Sequence, residues 1–535
     1  MISNTFKSYS KKDKKITKAA LIILAAVFGL KLINGFYNLI IPEKETLKLA
    51  NYSENKDYNP VYFSIDKTSS DLSTLTQKKL IKYNPESKTF ESDLVDFLVE
   101  DEARRFKILL KQDQIWSDNS KITADDIIFT INEIYKNPAY NNVLIRENFK
   151  NTTLKKINEN EIEIKIPESN TFFVSNLEVP IFSETDFKDQ NFNDLTYKNI
   201  KSSSIFKIKN IENENEVQIY ELQTNKKIAK KEKAKIKNIE YHSISDKNYL
   251  IENIDEFDEI TGNNIEDIEN TKISKSVSLP RYQAVFFNTE NSILKNINIR
   301  NALDMAANKK VLKEKLENKT IIANPFFQFD SIKTIPETKT SIIKQLLIEN
   351  GLQEVNQKLT YNGNEVKLTI TYPEYKTNPL RNKDNEIVIK HLIESYKKIG
   401  IELIPQKYEI SVFQTLLLNK EYDLLLYGQD LGNNFDAYSF WHSSQSGKNR
   451  LNLSNLKDPL IDNLLINIRK SENQNDLIKN IQTLNKKIKE LHPAIFLYTE
   501  NNTILIDKRV KNRKIISDYT NLSQRLSSIN KWLIQ

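Results

Sequence analysis

The run Tyr422–Tyr427, YDLLLY, places the tightest limit on what this chain can fold into. It is too short for an ordinary helix and apolar enough to be a strand covered on both faces. Strands of that kind sit in sheets flanked by helices. The residues before it supply such a unit. Asn385–Gly400 carries Ile387, His391, Ile393 and Tyr396 around one helix, closes on Lys397-Lys398-Ile399-Gly400, and passes into the strand-like Ile401–Ile404. Helix, glycine, strand, then a doubly buried strand is the repeat of an α/β lobe.

The chain is too long for one such core. Its 535 residues allow two or three domains, and 39% hydrophobic with 10% aromatic residues suits a folded protein. There is no cysteine, which excludes disulfides, thiolate metal sites, a cysteine nucleophile and a lipid on cysteine. The net charge of +7 is concentrated at one end. Lys7, Lys11, Lys12, Lys14, Lys15 and Lys18 against Asp13 give the first eighteen residues +5, and the remainder is near neutral. A nucleic-acid footprint is therefore not expected. The basic run Lys226–Lys237 reads as a solvated hairpin or helix face.

Residues 1–18 form a basic arm ahead of Ala19–Ile41, an apolar segment long enough to span a bilayer despite Lys31, Asn34 and Asn38. Positive charge before it places the N-terminus in the cytoplasm and the rest outside. No small-x-small cleavage site follows, so an uncleaved signal anchor is expected ahead of a cleaved signal peptide or a buried helix. Residues 42–57 are polar and read as a tether. The expected location is the cell membrane, with a single-pass N-terminal anchor and an extracytoplasmic domain.

Phe106–Ile134 reads as strand, turn and capped helix. Phe106, Ile108 and Leu110 alternate, Asp118-Asn119 makes the turn, and Thr123 caps a helix with Asp125 and Asp126 in its first turn. Its wording, Trp116-Ser117-Asp118-Asn119-Ser120 then Thr123-Ala124-Asp125-Asp126-Ile127, resembles a signature of the family 5 extracellular solute-binding proteins, the peptide-binding subunits of ABC importers. Further resemblances follow in the family's order from about Asn59 to Val510. They include Asn59-Pro60, Leu80–Leu94, Phe172–Ile181, Leu279–Leu312, Ser341–Gly351, Glu421–Arg469 and His492–Tyr498. Where the family carries a glycine-rich turn, this chain has Ser202-Ser203-Ser204.

The resemblance implies a two-lobed α/β periplasmic-binding-protein-like fold of type II, with three subdomains, behind an N-terminal transmembrane helix. The first lobe is expected over 58–278 with a subdomain inserted at about 73–170, the second over 279–495, and a C-terminal return to the first over 496–535. Crossovers fall near 279 and 495. Function would be capture of short peptides between lobes and their delivery to a membrane permease of an ABC importer. Oligosaccharide binding, or a surface sensor or adhesin without transport, stays open. A monomer without cofactor or metal is expected. An enzyme is not, because no Gly-x-Ser-x-Gly, His-Glu-x-x-His, P-loop or Gly-x-Gly-x-x-Gly occurs.

The loop after Tyr422–Tyr427 lies at a strand's C-terminal end, where α/β lobes bind ligands. It offers Gln429, Asp430, Asp436, Tyr438, Trp441 and His442. Carboxylates beside aromatic surface suit a ligand with an ammonium end and an apolar body. The resemblance gives one aspartate here, Asp430 or Asp436, the peptide's ammonium. Trp441 reads as a wall or core aromatic ahead of a stacking group, and His442 as a structural residue ahead of a ligand contact. In the first lobe, Thr68 and Ser69 lie in a polar stretch, 64–71, that lines the cleft in the family or is simply a solvated loop.

Overall fold

The computed structural model describes residues 45–535 apart from 53–57, 64–65, 141, 188–190, 192–193, 215–216, 264, 266–267, 317–318, 322–337, 376–378, 433–435, 472 and 517–518. The basic arm 1–18 and the apolar segment 19–41 lie outside these residues. No helix among the described residues is long and apolar enough to cross a membrane.

The first half of the chain holds β1 (Thr46–Tyr52), α1 (Lys67–Thr76), β2 (Val95–Glu100), β3 (Arg105–Leu110), α2 (Ala124–Phe129), β4 (Thr153–Asn158), β5 (Glu161–Lys165), β6 (Phe206–Glu214), β7 (Val217–Thr224), α3 (Lys226–Lys231), β8 (Asn238–Ile244) and β9 (Glu259–Gly262). After these come β10 (Ile273–Ser278), β11 (Arg281–Phe287), α4 (Ile297–Ala306), α5 (Thr340–Glu349), β12 (Lys367–Glu374), α6 (Pro379–Lys398), β13 (Glu402–Glu409), α7 (Ile410–Asn419), β14 (Leu424–Asp430), α8 (Pro459–Lys470), α9 (Gln474–Leu491) and β15 (Ala494–Ile506).

One long sheet runs through both halves in the order β13-β12-β14-β11-β15-β9-β1-β8-β7-β6. Strand β1 is parallel to both β8 and β9, and β12 is parallel to both β13 and β14. These two parallel cores are joined through β15. Its start, from Ala494 to Tyr498, pairs with β11, and its end, from Asn501 to Ile506, pairs with β10 on one side. Strand β9 covers the other side of that end. The chain thus passes between the halves twice, at Leu279-Pro280 and within β15. Within β15 the change of partner falls between Tyr498 and Asn501.

The expected tether needs correction. Thr46–Tyr52 is not linker but β1, the middle strand of the first parallel core. Leu47 and Leu49 are buried while Lys48 is half-buried, an alternation too short to stand out beside a polar neighbourhood. A separate four-stranded sheet, β2-β3-β5-β4, lies where the inserted unit was expected. Its core draws on Val61 through Leu195, wider than the expected insertion.

Local signals act as their chemistry dictates. Asn119 takes a left-handed turn at φ 75°. Thr123 and Asp126 form a capping box, with the Thr123 amide donating to Asp126 Oδ2 at 2.9 Å. Arg300, buried on α4, donates to the carbonyls of Leu294 and His492, each at 2.8 Å, and to that of Leu491, tying α4 to the end of α9. Burial pushes its guanidinium down to about 10. His391 is buried and bonded to the Ala307 carbonyl at 2.6 Å.

Ser202-Ser203-Ser204, where the resemblance implied a glycine turn, close the turn through a hydroxyl and two amides. Ser202 Oγ donates to the Phe206 carbonyl at 2.6 Å, and the amides of Ser203 and Ser204 reach the Thr76 carbonyl at the end of α1. A buried charge cluster fixes the C-terminal segment to the same region. Arg525 bonds Asp71 through two nitrogens, at 2.7 and 2.6 Å, and Glu259 through Nε at 2.6 Å. Arg513 lies 2.5 Å from the other Glu259 oxygen, with its guanidinium over Trp532. All four charged side chains are at most 2% exposed.

Candidate functional site

Both parallel cores present strand C-termini. In the second, β14 ends at Gln429 and Asp430, beside the crossover: the Leu431 amide donates to the Pro280 carbonyl at 2.8 Å. Asp430 is exposed, and its only partner among the described residues is the Gly432 amide, 2.9 Å from Oδ1. Directly across the antiparallel ladder stands Arg281, whose Nε is buried without a hydrogen bond. Opposed residues share a face of the sheet, and no ion pair joins Asp430 to Arg281 among the described residues. The sequence reading missed Arg281, because only pairing across 149 residues of chain brings it there.

The other candidates are more occupied. Gln429 is buried and accepts the hydroxyl of Tyr282. Asp436 is held bidentately by Arg469, at 3.0 Å from Nε and 2.9 Å from Nη2, and is 10% exposed. Tyr438 lies under that guanidinium, 3.7 Å from ring centroid to Arg469 Cζ, and stacks on His442 at 4.0 Å. Trp441 is 1% exposed, packed on Phe286 and Phe496 in the core. His442 Nδ1 bonds Ser444 and caps the following turn, and burial lowers its imidazole against the opposing pull of Asp462.

On the first half, Thr68 and Ser69 belong to the first turn of α1, not to a loop. Ser69 is spent on Asp66, the helix N-cap, through its amide at 2.8 Å and its hydroxyl at 2.9 Å. Thr68 joins a buried chain at the ends of β1, β8 and β9. Thr261 donates to Asn51, Asn51 to Thr68, and Thr68 meets Ser243, over 3.2, 3.2 and 3.0 Å. Such a chain rigidifies the strand ends.

The inserted unit reaches the second half beside this site. The amide and hydroxyl of Thr171 donate to the Arg469 carbonyl at 2.9 and 3.0 Å. Asn170 approaches Asp436 at 3.4 Å, and Glu147 pairs with Arg450 at 3.4 Å. Asp436 therefore works inside an interface between the two parts. A separate cavity of about 340 Å³ lies between Tyr83 and the C-terminal segment, away from this site. Its lysines are largely paired, Lys78 with Glu232 and Lys79 with Glu178. No cluster of three metal-ligating side chains occurs among the described residues.

The chain is similar to known proteins over most of its length. The oligopeptide-binding protein AppA of Bacillus subtilis is 24% identical over 525 residues, covering 91% of each chain. Its structure in complex with a nonapeptide superposes with a TM-score of 0.71 at 20% identity, over 92% of this chain and 99% of that one. NikZ from Campylobacter jejuni in complex with Ni(L-His) gives 0.70 at 20% identity, over 92% and 100%. These structures share the fold. The profile of the bacterial extracellular solute-binding proteins, family 5 Middle, matches residues 91–452, and the chain belongs to that family.

Proposed function

We propose that this solute-binding protein of an ABC importer captures short peptides between its two halves and presents them to a membrane permease. The observation that carries the reading is Asp430, an exposed carboxylate beside Leu279-Pro280, with Arg281 at the opposed ladder position. Asp430 would take the peptide's ammonium, and Arg281 a backbone carbonyl or carboxylate. Such charge-assisted bonds recognise features common to all peptides. Closure would follow from hinge motion at Leu279-Pro280 and within β15. The halves are taken as lobes, the first entered at β1 and the second running from 279 into β15. Segment 19–41 is taken as the anchor that keeps the domain outside the cell. AppA, named as oligopeptide-binding and crystallised with a nonapeptide, supports the ligand class.

The test is binding of short peptides with free or acetylated amino ends to the parent, Asp430→Asn and Asp436→Asn. A hydrogen bond to a charged group contributes about 1.5–3 kcal/mol. Asp430→Asn should then weaken free-amine peptides by about 10- to 100-fold and leave acetylated ones unchanged. Asp436→Asn should affect both alike. Binding of cello- or manno-oligosaccharides by a protein that ignores peptides would overturn the ligand class.

A further inference from the structure

The basic run 226–237 is more than a solvated face. Lys226, Lys227, Lys230, Lys231, Lys233 and Lys235 are all exposed, and none of them has an ion-pair partner among the described residues. Helix α3 carries the first four. The run ends at Lys237, which pairs with the Glu45 carboxylate, while the amides of Lys237 and Asn238 donate to the Glu45 carbonyl at 2.9 and 3.0 Å. The lysine run thus leads from Gln223, opposite Asn238, back to the point where the chain enters β1.

That point is tightly placed. Only Pro42, Glu43 and Lys44 separate Ile41, the end of the apolar segment, from Glu45. An extended chain gains at most about 3.6 Å per residue, so Glu45 stays within about 14 Å of the end of that segment. Screening at physiological salt acts over about 8 Å. A domain tethered so closely must turn its β1 entrance toward the bilayer, and this entrance bears the lysine cluster.

We propose that the lysine face 226–237 docks on the anionic phospholipid surface beside the anchor, fixing the orientation of the domain on the membrane. The inference rests on reading 19–41 as a membrane anchor. Ammonium groups are drawn to phosphate headgroups without needing a shaped pocket, which suits six lysines on a short helix and its extension.

Lysine acylation followed by mass spectrometry tests this on the full chain in lipid nanodiscs. In phosphatidylglycerol discs, the six lysines should react several-fold more slowly than in phosphatidylcholine discs. Lys397 and Lys398, on α6 of the other half, should react equally in both. About 0.5 M salt should remove the protection. In the quadruple variant Lys226→Gln, Lys227→Gln, Lys230→Gln and Lys231→Gln, protection of Lys233 and Lys235 should also vanish. Equal rates in the two lipids, or protection that survives the quadruple substitution, would overturn the docking face. A chain that fails to enter nanodiscs at all would overturn the anchor itself, and the docking face with it.

Discussion

Replacing Arg525 with methionine should be among the most damaging single substitutions in this protein. The guanidinium bonds both Asp71 oxygens at 2.7 and 2.6 Å, Glu259 at 2.6 Å and the Leu522 carbonyl at 3.1 Å. Burial alone would weaken its charge, yet Asp71 and Glu259 together raise it above the ordinary arginine value. Methionine fills much of the volume and supplies none of the donors. Two buried carboxylates would then share Arg513 and the Tyr241 hydroxyl, which reaches Asp71 at 2.8 Å. Removing one partner of a buried pair costs about 3–5 kcal/mol, a large part of the 5–15 kcal/mol that holds a typical domain folded. Adding Asp71→Asn to Arg525→Met should recover about 1–3 kcal/mol, because one stranded charge disappears. Urea unfolding followed by tryptophan fluorescence measures this, since Trp532 packs on Arg513 within the cluster. Loss of less than about 1 kcal/mol in Arg525→Met, or a double variant as weak as the sum of its singles, would refute the argument.

Three further outcomes are expected. Gly400→Ala should lose about 1–2 kcal/mol or more in thermal unfolding, because Gly400 sits at φ 82° and a Cβ would lie 2.7 Å from the Gln357 carbonyl oxygen. Lys420, buried and donating to the Arg450 carbonyl, is pushed down to about 8 by burial from an ordinary 10.5. Between those values the unfolded chain holds the proton and the folded one does not, so stability should rise with pH across that window, and Lys420→Met should flatten the rise. Charge reversal at Glu147→Arg or Arg450→Glu should each weaken peptide affinity by opposing closure of the inserted unit on the second half. The double reversal should restore it. Unchanged affinity in the single variants would show the contact to be independent of binding.

Much of the scaffold was legible because its signals are local. The helix expected over Asn385–Gly400 forms over Pro379–Lys398 and the strand expected at Ile401–Ile404 over Glu402–Glu409, since apolar spacing and the conformational freedom of Gly400 act locally. The capping box at Thr123 needs only Asp126 three residues on. By contrast, β1 was hidden as tether, since Thr46–Tyr52 alternates too briefly to announce itself and earns its place from β8 and β9 alongside. The candidate site divides in the same way. Its segment was proposed from the order of residue types after a buried strand. The fate of each residue was not, because Asp436 is taken by Arg469, Trp441 by the core and Ser69 by a helix cap, whereas Asp430 is left open.

By itself the sequence determined an α/β architecture and the family, since periodicity, caps and turns act over a few residues. Only the tertiary structure decided which charges are free and which are spent. Partners such as Arg525 and Asp71, 454 residues apart, become neighbours through folding alone. Whether a carboxylate binds a guest or a guanidinium of its own chain depends on that proximity, which no local pattern encodes.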